Sequence, residues 1–207
     1  MPPADRYTEQ AEALSRVARL FGERQWCLAT SGNFSARVAP DRCLVTRSGK
    51  DKTRLSAGDF VLCDLDGNAV DAGTVPSAET PLHACLYRLD EGTAAVLHTH
   101  SAVATVMSRA SGSDLTFAGF EMQKAFPGVA THDAALRLPV YENTQDMTEF
   151  ARRLELDAAS RGFDVPGFLV RGHGLYAWGR SIDEAQRHVE GLEFLLSCAL
   201  GERSLLR

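Results

Sequence analysis

Short apolar runs of β character alternate with segments of helical period along the whole chain. Each such element has one apolar face to bury, so the pattern calls for a central sheet with helices packed on it. Residues 8–22 carry Leu14, Val17, Ala18 and Phe21 at helical spacing. Residues 43–46 and 60–63 read as strands, the second followed by the turn Asp66-Gly67. Glu79-Thr80-Pro81 opens a helix over 79–90 with proline in its first turn. Residues 94–99 read as a buried strand, and 102–108 and 145–160 as helices. Leu138-Pro139-Val140 reads as a short edge strand, since proline lacks a ladder donor. Strands at 168–170 and 175–178 flank Gly172-His173-Gly174. Ser181, three residues before Glu184, opens a closing helix that reaches residue 200. The class expected is α/β or α+β around one sheet, and periodicity leaves the strand order open.

The 207 residues suggest a single domain over 1–207, long enough to build a core without disulfides. With 22 Lys+Arg against 27 Asp+Glu the net charge is −5, which argues against a protein built to hold nucleic acid. That balance still allows a locally basic pocket for a phosphorylated metabolite. The five cysteines, Cys27, Cys43, Cys63, Cys85 and Cys198, show neither zinc-knuckle nor CxxC spacing and read as buried free thiols of a reducing compartment. Met1-Pro2-Pro3-Ala4-Asp5-Arg6 lacks a basic segment ahead of an apolar run. No apolar stretch approaches the roughly 20 residues of a bilayer span. A soluble cytoplasmic protein with no membrane partner is expected.

The sharpest chemical signal is Val96-Leu97-His98-Thr99-His100-Ser101. Side chains alternate along a strand, so His98 and His100 share a face and can share a divalent metal. A pair of this kind can also be two polar residues at a strand end. His173, between glycines that permit close approach, adds a third imidazole, though alone it would read as a turn residue. Three histidines are the ligand set of an open catalytic zinc site. His83, His132 and His188 have no such partners and read as structural or surface residues, with His83 four residues beyond Glu79 on one helix. Three small-residue turns suit a phosphate: Ser31-Gly32-Asn33, Ser48-Gly49-Lys50, and Pro76-Ser77-Ala78 ahead of a helix. Lys50 and Lys52 would add charge there. Two carboxylates complete the inventory. Glu79 opens a helix, where it can also serve the helix dipole. Glu121 lies among apolar residues in Phe120-Glu121-Met122-Gln123-Lys124. There it is either an exposed residue of an amphipathic segment or a desolvated carboxylate with a raised pKa, fit for proton transfer.

In this order, Ser31-Gly32-Asn33, Ser48-Gly49, Pro76-Ser77-Ala78-Glu79, His98-Thr99-His100 and Gly172-His173-Gly174 resemble the class II aldolase/adducin family, over about residues 8–200. The resemblance implies a three-layer α/β/α fold around a central, mainly antiparallel sheet. It implies one zinc per subunit on His98, His100 and His173, and a homotetramer with sites near subunit interfaces. Within the family, Glu79-Thr80-Pro81-Leu82, His98-Thr99-His100-Ser101, Phe120-Glu121-Met122-Gln123-Lys124 and Leu175-Tyr176-Ala177-Trp178-Gly179 look most like its dehydratase branch. That branch removes water from 5-methylthioribulose 1-phosphate in methionine salvage, with the glutamate matching Glu121 as acid/base. In the sugar-phosphate aldolases the glutamate matching Glu79 can ligate the resting metal and move protons, whereas eukaryotic dehydratases carry cysteine there. The phosphate is expected on Ser31, Gly32, Asn33, Ser48, Gly49, Lys52 and Ser77. Phe117, Phe120 and Met122 are apolar enough to hold a methylthio group, although core packing is their plainer role. The rival activities are a class II sugar-phosphate aldolase and a pentose-phosphate 4-epimerase. A non-catalytic, adducin-like interaction module is expected to lack the metal histidines.

Overall fold

Helix α1 (Thr8–Glu23) buries Leu14, Val17, Ala18 and Phe21 on one stripe, as their spacing requires. Strands β1 (Asn33–Ala39), β2 (Arg42–Thr46) and β3 (Phe60–Asp64) follow, then α2 (Thr80–Leu89), which begins after Glu79 with Pro81 in its first turn. The rest runs β4 (Ala95–Thr99), α3 (Ala102–Arg109), β5 (Asp114–Phe117), β6 (Leu136–Tyr141), α4 (Met147–Arg161), β7 (Gly167–Val170), β8 (Gly174–Gly179) and α5 (Ile182–Leu205). This computed structural model describes residues 7–205; the N-terminal stretch 1–6, considered above for a leader, lies outside the described residues.

The strands form one eight-stranded sheet in the order β3-β2-β1-β4-β8-β7-β6-β5. Its neighbours are antiparallel except the parallel pair β6 and β7. Strand β4 lies centrally, with all five of its residues buried. His98 there is paired with Asn33 of β1 on one side and Tyr176 of β8 on the other.

Alternation along the strands divides the apolar side chains between two clusters. Phe34, Leu97 and Leu175 pack with Leu14 and Phe21 of α1, Met107 of α3 and Leu192 of α5. Val45, Val96 and Phe168 pack with Leu82 and Leu86 of α2 and Phe150 and Leu154 of α4. Burying a side chain of this size contributes roughly 1.5–3 kcal/mol.

Two local expectations need correction. The Leu138-Pro139-Val140 run is internal, because β5, which local pattern does not show, pairs along its outer side. Proline still leaves its mark: pairing to β7 is confined to Val140 and Tyr141, after the missing donor. At the start of α5, Ser181 Oγ accepts the Glu184 N–H at 3.0 Å, but the Glu184 carboxylate reaches back to the Arg180 N–H rather than to that of Ser181. The cysteines behave as expected: all five are free and all but Cys198 are buried. Among the described residues, no helix is long and apolar enough to cross a membrane.

Candidate active site

His98 projects from the end of the β4 ladder, His100 follows just beyond it, and His173 sits in the turn between β7 and β8. Gly174 makes their meeting possible. A Cβ at that position would come within 2.0 Å of the Thr99 carbonyl oxygen, so only glycine lets β8 begin against the end of β4. The three Nε2 atoms converge, at 2.8 Å for His98–His100, 3.0 Å for His100–His173 and 3.3 Å for His98–His173. Glu79 Oε2 lies 3.3 Å from His98 Nε2, and Oε1 lies 3.1 Å from His173 Nε2.

His98 Nδ1 donates to the Leu175 carbonyl at 2.9 Å, which leaves the Nε2 lone pair facing the cluster. Burial, then the neighbouring imidazoles, hold His98 well below the ordinary histidine range. Burial and His173 push His100 down to about 4. Three imidazoles aimed at one point beside a carboxylate, with all donor atoms within 4.8 Å, are a donor set that fits a divalent cation.

Glu79 is itself held in place. Asn33 Nδ2 donates to Glu79 Oε2 at 2.5 Å, while Asn33 Oδ1 accepts from His83 Nε2 at 2.5 Å. His83 Nδ1 accepts from Ser35 Oγ at 2.7 Å, and Ser35 Oγ in turn accepts from the Tyr87 hydroxyl at 2.7 Å. His83 is fully buried, and burial pushes its pKa down to about 4. Its place under Glu79 is a role at the site at which the sequence alone only hints. Tyr176 has no marked role in the local pattern, yet its ring stacks on His98 with centroids 3.9 Å apart.

Ser31, Gly32, Asn33, Ser48, Gly49, Lys52 and Ser77 all line one cavity of about 380 Å³, together with Glu79 and His100. Three separated turns are therefore brought to one place. Gly32 adopts φ +76, and a Cβ there would meet the His98 carbonyl oxygen at 2.7 Å. Lys52 is buried and donates to the carbonyls of Thr30 and Lys50 at 2.9 and 2.7 Å, which leaves one of its three N–H bonds for a ligand. Lys50 is turned away into an ion pair with Asp59 at 2.8 Å. Arg47, which local pattern does not mark, also lines the cavity. Its Nε and the Ser31 Oγ are buried without a partner among the described residues, two unmet groups suited to an anion.

Glu121 behaves differently. It starts a 3-10 turn, Glu121–Ala125, with its side chain 70% exposed, and does not line that cavity. Lys124 at 2.5 Å and His132 at 3.4 Å hold its carboxyl below the usual range, so the desolvated, raised carboxylate is not what the fold produces. The reason is the turn's orientation. Gln123 is the residue buried here, with Oε1 accepting from the Phe120 N–H and Nε2 donating to the Ala134 carbonyl, so Glu121 and Lys124 point outward. Phe117 is in the core, Phe120 packs against it, and Met122 is exposed.

The chain is 48% identical over 198 residues to a protein from Serratia proteamaculans (strain 568) named methylthioribulose-1-phosphate dehydratase, covering 95% of this chain and 97% of that one. It is 49% identical over 195 residues to a protein of the same name from Yersinia pestis (strain Pestoides F), covering 94% and 87%. Among solved structures, L-fuculose-1-phosphate aldolase from Thermus thermophilus superposes with a TM-score of 0.76 at 27% identity, covering 95% of each chain. The model of the class II aldolase and adducin N-terminal domain matches residues 12–200, and the chain belongs to that family.

Proposed function

We propose that this chain dehydrates 5-methylthioribulose 1-phosphate to 2,3-diketo-5-methylthiopentyl 1-phosphate, as a zinc-dependent cytoplasmic enzyme of methionine salvage. The observation that carries this reading is the convergence of His98, His100, His173 and Glu79 beside a cavity with unmet anion-binding groups, in a chain 48% identical to dehydratases over nearly its full length. The three histidines would hold one zinc per subunit, with Glu79 as the fourth group of the resting site. When bound, zinc supplies a Lewis acid that lowers the cost of the negative charge appearing beside the substrate carbonyl.

The chain's own side chains do the rest. Ser31, Arg47, Lys52 and the turn amides around Gly32, Gly49 and Ser77 bind the phosphate and place C3 of the sugar. Glu121 takes the C3 proton. The C4–oxygen bond then breaks, and the same carboxyl returns the proton to the departing hydroxyl, which leaves as water. The resulting enol tautomerises to the diketone. General acid–base catalysis of this kind contributes typically about 100- to 10,000-fold.

Glu121 is exposed and does not line its own subunit's cavity, so it acts at the site of a neighbour in a homotetramer. Leu28 and Val75, 59% and 63% exposed on the loops leading into the cavity, suit such a contact. The accompanying architecture is a three-layer α/β/α sandwich on a mainly antiparallel sheet, supported by the two apolar clusters on its opposite faces. Glu79 beside the histidines also suits aldol cleavage, so the test must separate the two reactions. Purified zinc-loaded protein is incubated with 5-methylthioribulose 1-phosphate and the products are weighed by mass spectrometry. A product lighter by one water supports dehydration; cleavage fragments or an isomer of unchanged mass overturn it.

A further inference from the structure

We propose that Glu193 is a positioning residue for the metal-binding histidines, gripping Thr99 and Ser101 from behind and so fixing the aim of His98, His100 and His173. The inference deepens the reading of the metal site above and rests on it.

Residues 98–101 alternate. His98 and His100 turn to the metal cluster, while Thr99 and Ser101 turn the other way and meet α5. Glu193 of α5 is only 2% exposed. Its Oε1 accepts from Thr99 Oγ1 at 3.2 Å and its Oε2 from Ser101 Oγ at 2.7 Å. Among the described residues, no Lys or Arg forms an ion pair with it. Burying a carboxylate without a cation is costly, and an apolar side chain would fill the same place without that cost. What the carboxylate adds is direction, since its two acceptors clamp two hydroxyls that bracket His100.

The same clamp reaches the third histidine. Ser101 Oγ accepts the Ala104 N–H at 2.9 Å and so caps α3. One turn on, Thr105 Oγ1 donates to the His173 carbonyl at 3.0 Å, and Ser108 Oγ accepts the Gly172 N–H at 2.9 Å. The helix anchored by Glu193 therefore carries the turn that presents His173. Metal sites respond strongly to such support, with losses of about 10–100-fold in affinity when an outer partner is removed.

The test uses the full chain, stripped of metal and titrated with zinc against a chromogenic chelator. E193A is expected to bind zinc about 10–100-fold more weakly. E193Q keeps the volume and one acceptor oxygen and falls between E193A and wild type. L196A truncates a fully buried apolar residue on the same helix. It lowers the thermal midpoint but keeps wild-type zinc affinity. Unchanged zinc affinity in E193A, or equal weakening in L196A, overturns the proposal. If E193A does not fold, T99V keeps the strand's shape and removes only one clamped hydroxyl; weaker zinc binding supports the proposal and unchanged binding overturns it. Absence of zinc uptake by the wild type would overturn the site reading itself, and this inference with it.

Discussion

Asn33 Nδ2 donates to Glu79 Oε2 at 2.5 Å, and this single contact ties the carboxylate beside the three converging histidines to a buried hydrogen-bonded chain running through His83 and Ser35 to Tyr87. Asn33 joins the two sides: its amide nitrogen serves Glu79 and its amide oxygen serves His83. Replacing it by alanine frees the carboxylate and leaves the His83 N–H without an acceptor. N33A should lose about 1–3 kcal/mol in urea denaturation and bind zinc more weakly. Wild-type stability together with wild-type zinc affinity would show that the chain of bonds is idle.

Parts of this site are legible in the sequence for a local reason. His98 and His100 share a face because strands have period two, and the turns at Ser31, Ser48 and Ser77 carry small residues with an evident use. The rest depends on long-range partners. Glu193 and Thr99 are 94 residues apart in sequence, and nothing in either segment names the other. Arg47 and Tyr176 read as ordinary strand-end and strand residues until the sheet puts one at the cavity and the other on His98. Glu121 shows the converse case. Its sequence allows an exposed or a desolvated carboxylate, and the bond from Gln123 to the Ala134 carbonyl decides which side of the turn faces inward, leaving it exposed. Strand β6 reads as an edge for the same kind of reason, since its outer partner β5 is a short run without a local signature.

Arg47 should matter to the substrate and not to the fold. Among the described residues its buried Nε has no partner, so R47M removes an unmet donor and should leave stability within about 1 kcal/mol of wild type. Loss of a charge-assisted contact to phosphate should raise KM about tenfold or more, with a smaller change in kcat. The thermal shift produced by inorganic phosphate should shrink in parallel. An unchanged KM and an unchanged phosphate shift would remove Arg47 from the phosphate site.

Glu193 gives the protein a pH signature. Burial pushes its carboxyl up to about 7, against the opposing hydrogen bonds from Ser101 and Thr99. Between the ordinary value of 4.5 and about 7 the folded state holds a proton that the unfolded chain releases. Its contribution is therefore complete below about 4.5 and is lost as pH rises through about 7. E193Q has no such term, so in urea unfolding of the metal-free protein the stability of wild type relative to E193Q should be greater near pH 5 than near pH 8. An equal difference at both would contradict it. His83 has the opposite sign: pushed down to about 4, it stays neutral when the unfolded chain takes a proton, so it costs stability as pH falls from about 6.5 to 4.

The proposed completion of the site by a neighbour predicts complementation. H98A removes one proposed metal ligand but keeps Glu121, and E121Q removes the proposed base but keeps the proposed ligands. Each alone should be nearly inactive. Unfolded together and refolded as mixed assemblies, they should recover a measurable fraction of wild-type dehydration. No recovery, with mixed assemblies verified by native mass spectrometry, would return Glu121 to its own subunit or remove it from the reaction.

The dehydration turnover of E121Q at full zinc occupancy tests the central claim most directly. Zinc content measured on the same sample should remain at one per subunit, because Glu121 is not among the four groups that converge on the metal position. Turnover of 5-methylthioribulose 1-phosphate should fall about 100- to 10,000-fold. Dehydration at a near-normal rate, with zinc retained, would contradict the assignment of the base and the mechanism built on it.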